Sequence, residues 1–311
     1  MEPTTTCPSC GTAVNYGWPA LVAPFIADYV LQGPVARCRL LECDCCDHRF
    51  FDQRFTDAET ARLYAGYRGP AYFAVRHQHE PWYSRAYNRG IGHDPARVQA
   101  RKASLGAFLS NGGLIAPLGA VLDFGGDSGQ LIPAEWARDR YVHDLSDVPA
   151  AEGVHKLADA GDLEGRTFDL VLLTHVLEHA SDPMSLMERI RKLLQGMGHV
   201  YVEVPLERPW VGLLGRGSTA TWYLDQLSTK PGLLRLMDFY SSAFRIKAGF
   251  YPPFGFPKLH EHIHFFSGES LRQLLGRAGF RITHMQQVAS SGLGKPDSLA
   301  CLAAPEVTPK E

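Results

Sequence analysis

Residues 121–130 read VLDFGGDSGQ, and the fold class depends on how this stretch is interpreted. The run Val121–Phe124 is short and mainly apolar, which is typical of a strand that is covered on both faces of a sheet. The next five residues, Gly125–Gly129, are rich in glycine, as a tight turn requires. We therefore predict a buried strand that ends in a glycine-rich turn.

The residues after this turn alternate between predicted strands and helices. Asp182 and Pro183 are predicted to open a helix, because Asp favours the N-cap and Pro the first helical position, and Gly196 is predicted to close it. The other predicted elements are strands at 140–144, 168–173, 200–205, 280–287 and 298–303 and a helix at 268–278. This alternation predicts an α/β fold and excludes a β-sandwich or a helical bundle.

The glycine-rich turn is the candidate cofactor site, because ligands of open α/β sheets bind beyond the carboxyl ends of the strands. A dinucleotide enzyme would carry GxGxxG here, but Asp127 and Gln130 occupy the second and third glycine positions. Asp144 follows the second strand, 19 residues after Gly125, where a carboxylate can accept hydrogen bonds from ribose hydroxyls. A ribose site without a pyrophosphate site indicates S-adenosylmethionine.

Several motifs follow one another in this part of the chain. They are LDFGGDSGQ at 122–130, HD at 143–144, DAGDL at 159–163, FDLVLLTHVLEH at 168–179, the helix opened by Asp182 and Pro183, and GHVYVEVP at 198–205. In this order they resemble class I S-adenosylmethionine-dependent methyltransferases. The resemblance implies a Rossmann-like sheet and S-adenosylmethionine as the methyl donor.

The resemblance also implies which residues hold the cofactor. They are Gly125, Gly126, Asp127 and Gly129 along the methionine part, Asp144 at the ribose, Asp159 and Ala160 at the adenine, and Thr174 and His175 beside the cofactor after the fourth strand. Asp127 replaces the glycine that is usual in this motif. Its carboxylate either binds the methionine ammonium or marks a degraded cofactor site.

Six of the seven cysteines lie within the first 46 residues. The two CxxC turns, Cys7–Cys10 and Cys43–Cys46, can each direct two thiolates at one tetrahedral zinc ion. Crowded cysteines in a cytosolic chain favour metal binding over disulfides. We predict one structural zinc held by the four cysteines that bound these turns, although Cys38 and Cys45 leave the choice of ligands open.

The chain is predicted to contain three segments. They are a zinc-ribbon-like domain at 1–56, a helical linker or lid at 57–117, and a methyltransferase domain at 118–305 with an aromatic-rich insertion at 206–258. The zinc pair, a linker with the Tyr67-Arg68 pair, the core and a late Glu261-His262 segment resemble, in this order, a bacterial branch of sugar C- and O-methyltransferases. This resemblance implies an acceptor that contains a sugar, either nucleotide-linked or part of a glycan.

Methyl transfer to a sugar hydroxyl, or to a carbon acid beside a ketone, requires a base. Histidine is suited to this role because it titrates near neutral pH. Three positions offer one: His175, Glu178-His179 and Glu261-His262. We predict that His262 takes the proton and that Glu261 orients it, with His179 as the alternative base.

The charge composition argues against nucleic acid as a partner. Lys and Arg total 31 against 33 for Asp and Glu, and the pI is about 6.7. An RNA methyltransferase, which a zinc ribbon would also suit, is therefore the less favoured enzyme. A non-catalytic protein that binds S-adenosylmethionine is the alternative from another class, motivated by Asp127.

We also expect a cytoplasmic protein without a membrane partner. The longest apolar run, 20–31, is interrupted by Pro24 and Asp28 and is too short to cross a bilayer. The first residues lack the basic and apolar regions of a secretory signal. The sequence leaves the oligomeric state open.

Overall fold

The computed structural model describes residues 1–90, 92, 94–208, 210–211, 215–290 and 296–306. Its strands are β1 (Glu2–Pro3), β2 (Gly17–Val22), β3 (Arg37–Glu42), β4 (Arg49–Phe51), β5 (Gln53–Arg54), β6 (Leu118–Phe124), β7 (Ala137–His143), β8 (His155–Leu157), β9 (Phe168–Thr174), β10 (Leu194–Pro205), β11 (Lys258–Leu259), β12 (His264–Phe265), β13 (Phe280–Val288) and β14 (Ser298–Pro305). Its helices are α1 (Pro24–Ile26), α2 (Asp57–Tyr64), α3 (Pro70–His79), α4 (Arg85–Gly90), α5 (Pro95–Asn111), α6 (Pro183–Lys192), α7 (Ser218–Ser228), α8 (Pro231–Ala248) and α9 (Gly268–Arg277). None of these helices is long and apolar enough to span a bilayer.

These elements divide into two compact units. The first unit consists of Met1–Cys7, Gly11–Arg89 and Glu207–Phe265, and the second of Pro8–Cys10, Gly90–Leu206 and Phe266–Glu311. Residues from the middle of the chain thus fold with the N-terminal residues.

A seven-stranded sheet forms the centre of the second unit, in the order β13-β14-β10-β9-β6-β7-β8. The five strands from β10 to β8 are parallel, and β14 and β13 add antiparallel strands at one edge. Within this sheet the chain first forms β6 and then adds β7 and β8 on one side of it. It then returns to form β9 on the other side of β6. This topology confirms the α/β fold with a Rossmann-like sheet and puts the switch point between β6 and β9.

Apolar side chains cover both faces of this sheet, as a parallel sheet requires. Along β9, Leu170 and Leu172 belong to the cluster that includes Phe108 of α5. Val171 and Leu173 belong to the cluster formed with α6 and α9. Because successive strand residues point to opposite faces, the two clusters are the two layers of the core.

The start of α6 is confirmed, and its predicted end is wrong. The Asp182 carboxylate accepts hydrogen bonds from the backbone N–H groups of Met184 and Ser185 at 3.0 and 3.1 Å. The helix ends at Lys192, before Gly196, because Leu194 already pairs with Phe168 in the sheet. The helix therefore ends four residues before the glycine, and strand pairing begins two residues before it.

A five-stranded sheet, in the order β11-β2-β3-β4-β12, forms the centre of the first unit. Strands β2, β3 and β4 are consecutive and antiparallel. The two edge strands come from much later in the chain, since Lys258 pairs with Leu21 and His264 pairs with Phe50. The segment around residues 258–265 therefore belongs to the same sheet as the N-terminal residues.

Candidate functional site

The glycine-rich turn lies at the carboxyl end of β6, beside the switch point of the second unit's sheet. Gly125, Asp127 and Gly129 adopt left-handed backbone conformations with φ of 73°, 57° and 71°. A Cβ on Gly126 would lie 2.0–2.4 Å from the carboxyl atoms of Asp123, so only glycine fits there. The turn therefore brings backbone and a buried carboxylate together at the edge where Rossmann-like sheets bind ligands.

Asp127 keeps the turn closed although it stands at a position that favours glycine. Asp is among the few residues that tolerate the left-handed region. Its backbone N–H donates to Asp144 Oδ2 at 2.9 Å, and the N–H of Ser146 donates to Asp144 Oδ1 at 2.7 Å. Asp144 thus ties the turn to the loop after β7, and each of its oxygens retains a second lone pair for a ligand.

Asp123 is the most unusual group in this unit. It is fully buried, and neither carboxylate oxygen has a hydrogen-bond partner among the described residues. Burial raises the pKa of Asp123 to about 7, the charges of Asp144 and Asp127 act in the same direction, and Arg101 opposes them. Buried carboxylates in native proteins normally have hydrogen-bond partners. The carboxylate of Asp123 is therefore a candidate acceptor for a hydrogen-bond donor on a ligand.

Arg101 and Thr174 each add one polar atom that is buried without a hydrogen-bond partner in the described part of the chain. These atoms are Nη2 of Arg101, on α5, and Oγ1 of Thr174, at the end of β9. Arg101 forms an ion pair with Glu203 at 3.6 Å, which is beyond hydrogen-bond distance. A cation, a carboxylate and a hydroxyl are therefore all available to a polar ligand. Sequence reasoning identified Thr174 but missed Arg101 and Asp123, although a charged residue within an apolar strand was a usable signal.

His175 occupies a constrained position immediately after β9. Its φ is 56°, its Nδ1 lies 3.2 Å from Glu178 Oε1, and its Nε2 lies 3.0 Å from Glu203 Oε1. Burial alone would lower the pKa of His175, but the hydrogen bonds to Glu178 and Glu203 outweigh it and raise the pKa to about 10. The imidazole is therefore a cation at neutral pH, which makes it a poor general base.

The remaining predicted residues of the second unit lie on loops beside the sheet. Asp159 is exposed and caps the turn Ala160–Leu163, where its N–H donates to Asp162 Oδ2 at 3.0 Å. His179 ends the turn Leu177–His179 and is half-buried. The structure therefore leaves Asp159 accessible to a ligand.

The four predicted metal ligands, Cys7, Cys10, Cys43 and Cys46, come together, with their Sγ atoms within 4.8 Å of one another. Gly11 N–H donates to Cys7 O at 2.9 Å, and Asp47 N–H donates to Cys43 O at 2.8 Å, so both CxxC segments form tight turns. The two spare thiols lie outside this group. Cys45 is exposed, and burial raises the pKa of the Cys38 thiol well above its ordinary value.

The candidate base His262 lies in the first unit, beside the carboxylate of Glu207. His262 Nδ1 is 3.2 Å from Glu207 Oε2, and the same oxygen is 3.3 Å from Nη1 of Arg245. A carboxylate at Nδ1 fixes the tautomer and the orientation of an imidazole ring. Sequence reasoning missed Glu207, because 55 residues separate it from His262.

The carboxylate of Glu261 takes part in a buried network of the first unit. Its Oε1 accepts a hydrogen bond from Nη1 of Arg76 at 3.0 Å and another from the hydroxyl of Tyr72. Arg76 also forms an ion pair with Glu80 at 3.0 Å and lies over the ring of Tyr83 at 4.0 Å. The late Glu-His segment and the helical linker therefore meet through Glu261.

Comparison with known proteins agrees with the topology of the second unit. Residues 95–285, more than half of the chain, match a family model described as a methyltransferase domain. A search of curated proteins gave no match. Among solved structures, a 1,6-didemethyltoxoflavin-N1-methyltransferase of Burkholderia thailandensis is 18% identical over 77% of this chain and 91% of its own, with a TM-score of 0.45. A magnesium protoporphyrin IX methyltransferase of Synechocystis is 16% identical over 66% of this chain and 82% of its own, with a TM-score of 0.38.

Proposed function

Because the chain belongs to the methyltransferase-domain family, we propose that it transfers a methyl group from S-adenosylmethionine to a sugar-containing small molecule, at oxygen or at carbon. The observation that carries the proposal is the set of buried polar atoms without partners beside the glycine-rich turn. The amino-acid end of S-adenosylmethionine carries an ammonium and a carboxylate, which complement Asp123 and Arg101. When it is bound, S-adenosylmethionine would supply the electrophilic methyl group of its sulfonium.

The other residues of this edge suit the rest of the same cofactor. Glycines at 125, 126 and 129 permit close approach to the backbone, and the oxygens of Asp144 can accept hydrogen bonds from ribose hydroxyls. We assign Asp159 and Ala160 to the adenine, and Thr174 and His175 to the flank of the cofactor. Asp127, whose backbone keeps the turn closed, is assigned to the methionine ammonium together with Asp123.

For the acceptor we propose that His262 removes the proton from the atom that is methylated. Glu207 lies 3.2 Å from its Nδ1 and thereby fixes the orientation of the ring. We add Glu207 to Glu261 as an orienting carboxylate, and Glu261 also holds Tyr72 and Arg76 in place. The net charge of -2 supports a sugar-containing acceptor over RNA, and we place the reaction in the cytoplasm.

The test of this function is methyl transfer from a labelled donor to a panel of nucleotide sugars, glycans and RNA. We expect label in a sugar. Removal of the base in His262→Ala should lower turnover by roughly two to four orders of magnitude and leave the affinity for S-adenosylhomocysteine unchanged. Glu207→Gln should lower turnover less, and His155→Ala, an exposed histidine on β8, should change nothing.

Three outcomes would contradict parts of this proposal. Label in RNA alone would overturn the acceptor class, and cofactor binding without transfer to any acceptor would favour a non-catalytic protein. If His262→Ala is nearly as fast as the parent while His179→Ala is inactive, the base is His179.

We also propose that the four clustered cysteines hold one structural zinc ion. Tetrahedral zinc at about 2.3 Å from each thiolate separates the sulfurs by about 3.8 Å, and Cys7 Sγ and Cys46 Sγ are 3.5 Å apart. Purified protein should carry one zinc per chain by atomic emission. Cys46→Ser should lose the metal and lower the Tm, whereas its neighbour Cys45→Ser, outside the cluster, should keep both. Metal-free protein of undiminished Tm would contradict the assignment.

A further inference from the structure

Helix α8, Pro231–Ala248, buries three polar side chains and exposes five large apolar ones. The buried side chains of the helix are Leu234, Asp238, Ser241 and Ser242. Its exposed large apolar side chains are Leu233 (45% exposed), Leu236 (62%), Phe239 (52%), Phe244 (39%) and Ile246 (65%). A surface helix of a globular protein normally has the opposite arrangement.

Specific polar contacts fix the rotation of this helix about its axis. Asp238 Oδ1 lies 2.8 Å from Nζ of Lys258, which is itself buried. The Ser241 hydroxyl donates to Met237 O at 2.6 Å and accepts from the N–H of Phe256 at 3.2 Å. Turning the apolar face inward would break these contacts and expose a paired charge. The outward apolar face is therefore a built feature of the first unit.

The apolar residues form one continuous stripe. At 3.6 residues per turn the five side chains fall within an arc of about 160°, and the helix of 18 residues is about 27 Å long. Phe239 extends the stripe sideways, since its ring contacts Trp82 with centroids 5.4 Å apart. An exposed stripe of this size is typical of an interaction surface.

The charged residues around the stripe are basic. Lys230, Arg235 and Lys247 are exposed, and none of them forms an ion pair with a carboxylate in the part of the chain that the structure describes. The one acidic residue between positions 230 and 248, Asp238, is buried against Lys258. The outward side of α8 therefore carries apolar and positive groups and no exposed negative group.

We propose that α8 binds the surface of an anionic lipid bilayer, with its apolar stripe in the interface and its basic residues at the lipid headgroups. Helices with Leu and Phe on one side and Lys or Arg beside them bind membranes in this way. A second copy of the chain fits less well, because a two-fold interface would place Arg235 and Lys247 against positive residues of the same patch. The inference adds a peripheral membrane partner, contrary to the expectation from the sequence that there is none, and it does not depend on the methyl donor or acceptor.

The test is sedimentation of the full chain with phosphatidylcholine vesicles that contain or lack one quarter phosphatidylglycerol. We expect at least tenfold stronger binding to the anionic vesicles and a decrease with added salt. Leu236→Ser with Ile246→Ser should weaken this binding at least tenfold, and Arg235→Gln with Lys247→Gln should remove the preference for anionic lipid. Ile115→Ser, which replaces an 84% exposed isoleucine of the second unit, is the matched control and should bind like the parent.

All of these variants change exposed side chains, and circular dichroism checks that they fold. Failure of the parent to bind anionic vesicles at low salt would overturn the proposal. Equal binding to neutral and anionic vesicles would also overturn it, since the basic residues would then have no role. The remaining outcome is a chain that does not bind vesicles but forms a dimer in light scattering. If Leu236→Ser with Ile246→Ser dissociates this dimer, the stripe binds a second copy of the chain instead of a membrane.

Discussion

Glu80 in the first unit and Asp123 in the second are both buried carboxylates, but their pKa values move in opposite directions. Burial raises the pKa of each. At Glu80 the charges of Lys258, His260 and Arg76 outweigh burial and hold the pKa well below its ordinary value. At Asp123 Arg101 alone opposes burial, and the pKa rises to about 7.

The difference between Glu80 and Asp123 distinguishes a carboxylate in a structural network from one that we propose binds a ligand. Glu80 Oε1 lies 2.9 Å from Nζ of Lys258 and its Oε2 lies 3.0 Å from Nε of Arg76, so its charge is satisfied within the chain. Asp123 has no such partner among the described residues. A buried carboxylate that the fold does not satisfy indicates a ligand, whereas one with two cations joins elements of the fold.

The largest effect that we expect is on the satisfied network. Lys258→Met leaves Glu80 and Asp238 buried without their shared cation, and removal of one partner from a buried pair typically destabilises by about 3–5 kcal/mol. Urea denaturation should show this loss, and Lys230→Met, an exposed lysine at the start of α8, should change stability by less than about 0.5 kcal/mol. If both variants lowered the free energy of unfolding equally, the ion pairs of Glu80 would not stabilise the fold. Glu80 would then no longer differ from Asp123 in this respect.

A pH-dependent effect on stability is expected at His175. Its pKa of about 10 lies above the ordinary value of 6.5, so the protonated ring stabilises the fold fully below pH 6.5, and this contribution is lost as the pH rises through 10. His175→Asn does not titrate and suits a φ of 56°. The difference in free energy of unfolding between parent and variant should therefore shrink by at most about 1.4 kcal/mol per pH unit from 6.5 to 10.

Denaturant titrations at pH 7 and pH 9.5 measure this change. A difference between parent and His175→Asn that stays constant over that range would mean that Glu178 and Glu203 do not hold a protonated ring. His155→Asn, at an exposed position, is the control and should leave stability nearly unchanged at both values.

Local signals in the sequence predicted the second unit's fold well. The apolar run before Gly125 and the Asp182 cap each depend on neighbouring residues, and both are confirmed. The end of α6 depends instead on the pairing of Leu194 with Phe168. Similarly, β11 and β12 join a sheet that begins more than 200 residues earlier, and no local pattern encodes such a pairing.

The candidate site shows the same division between local and distant information. The glycine-rich turn and the two CxxC turns were predictable because their chemistry lies in adjacent residues. Arg101, 22 residues before Asp123, and Glu207, 55 residues before His262, act through space. Their roles emerge only when burial and distances are known.

We propose that the fold leaves Asp123 unsatisfied because this carboxylate binds the amino-acid end of the cofactor. The direct test is calorimetric titration of S-adenosylhomocysteine into the parent, Asp123→Asn and Asp139→Asn, an exposed aspartate on β7. We predict that the parent binds, that Asp123→Asn weakens binding by about 1.5–3 kcal/mol, the scale for hydrogen bonds to charged groups, and that Asp139→Asn binds like the parent. A parent that does not bind, or an Asp123→Asn variant with unchanged affinity, would contradict the assignment of Asp123 to the cofactor.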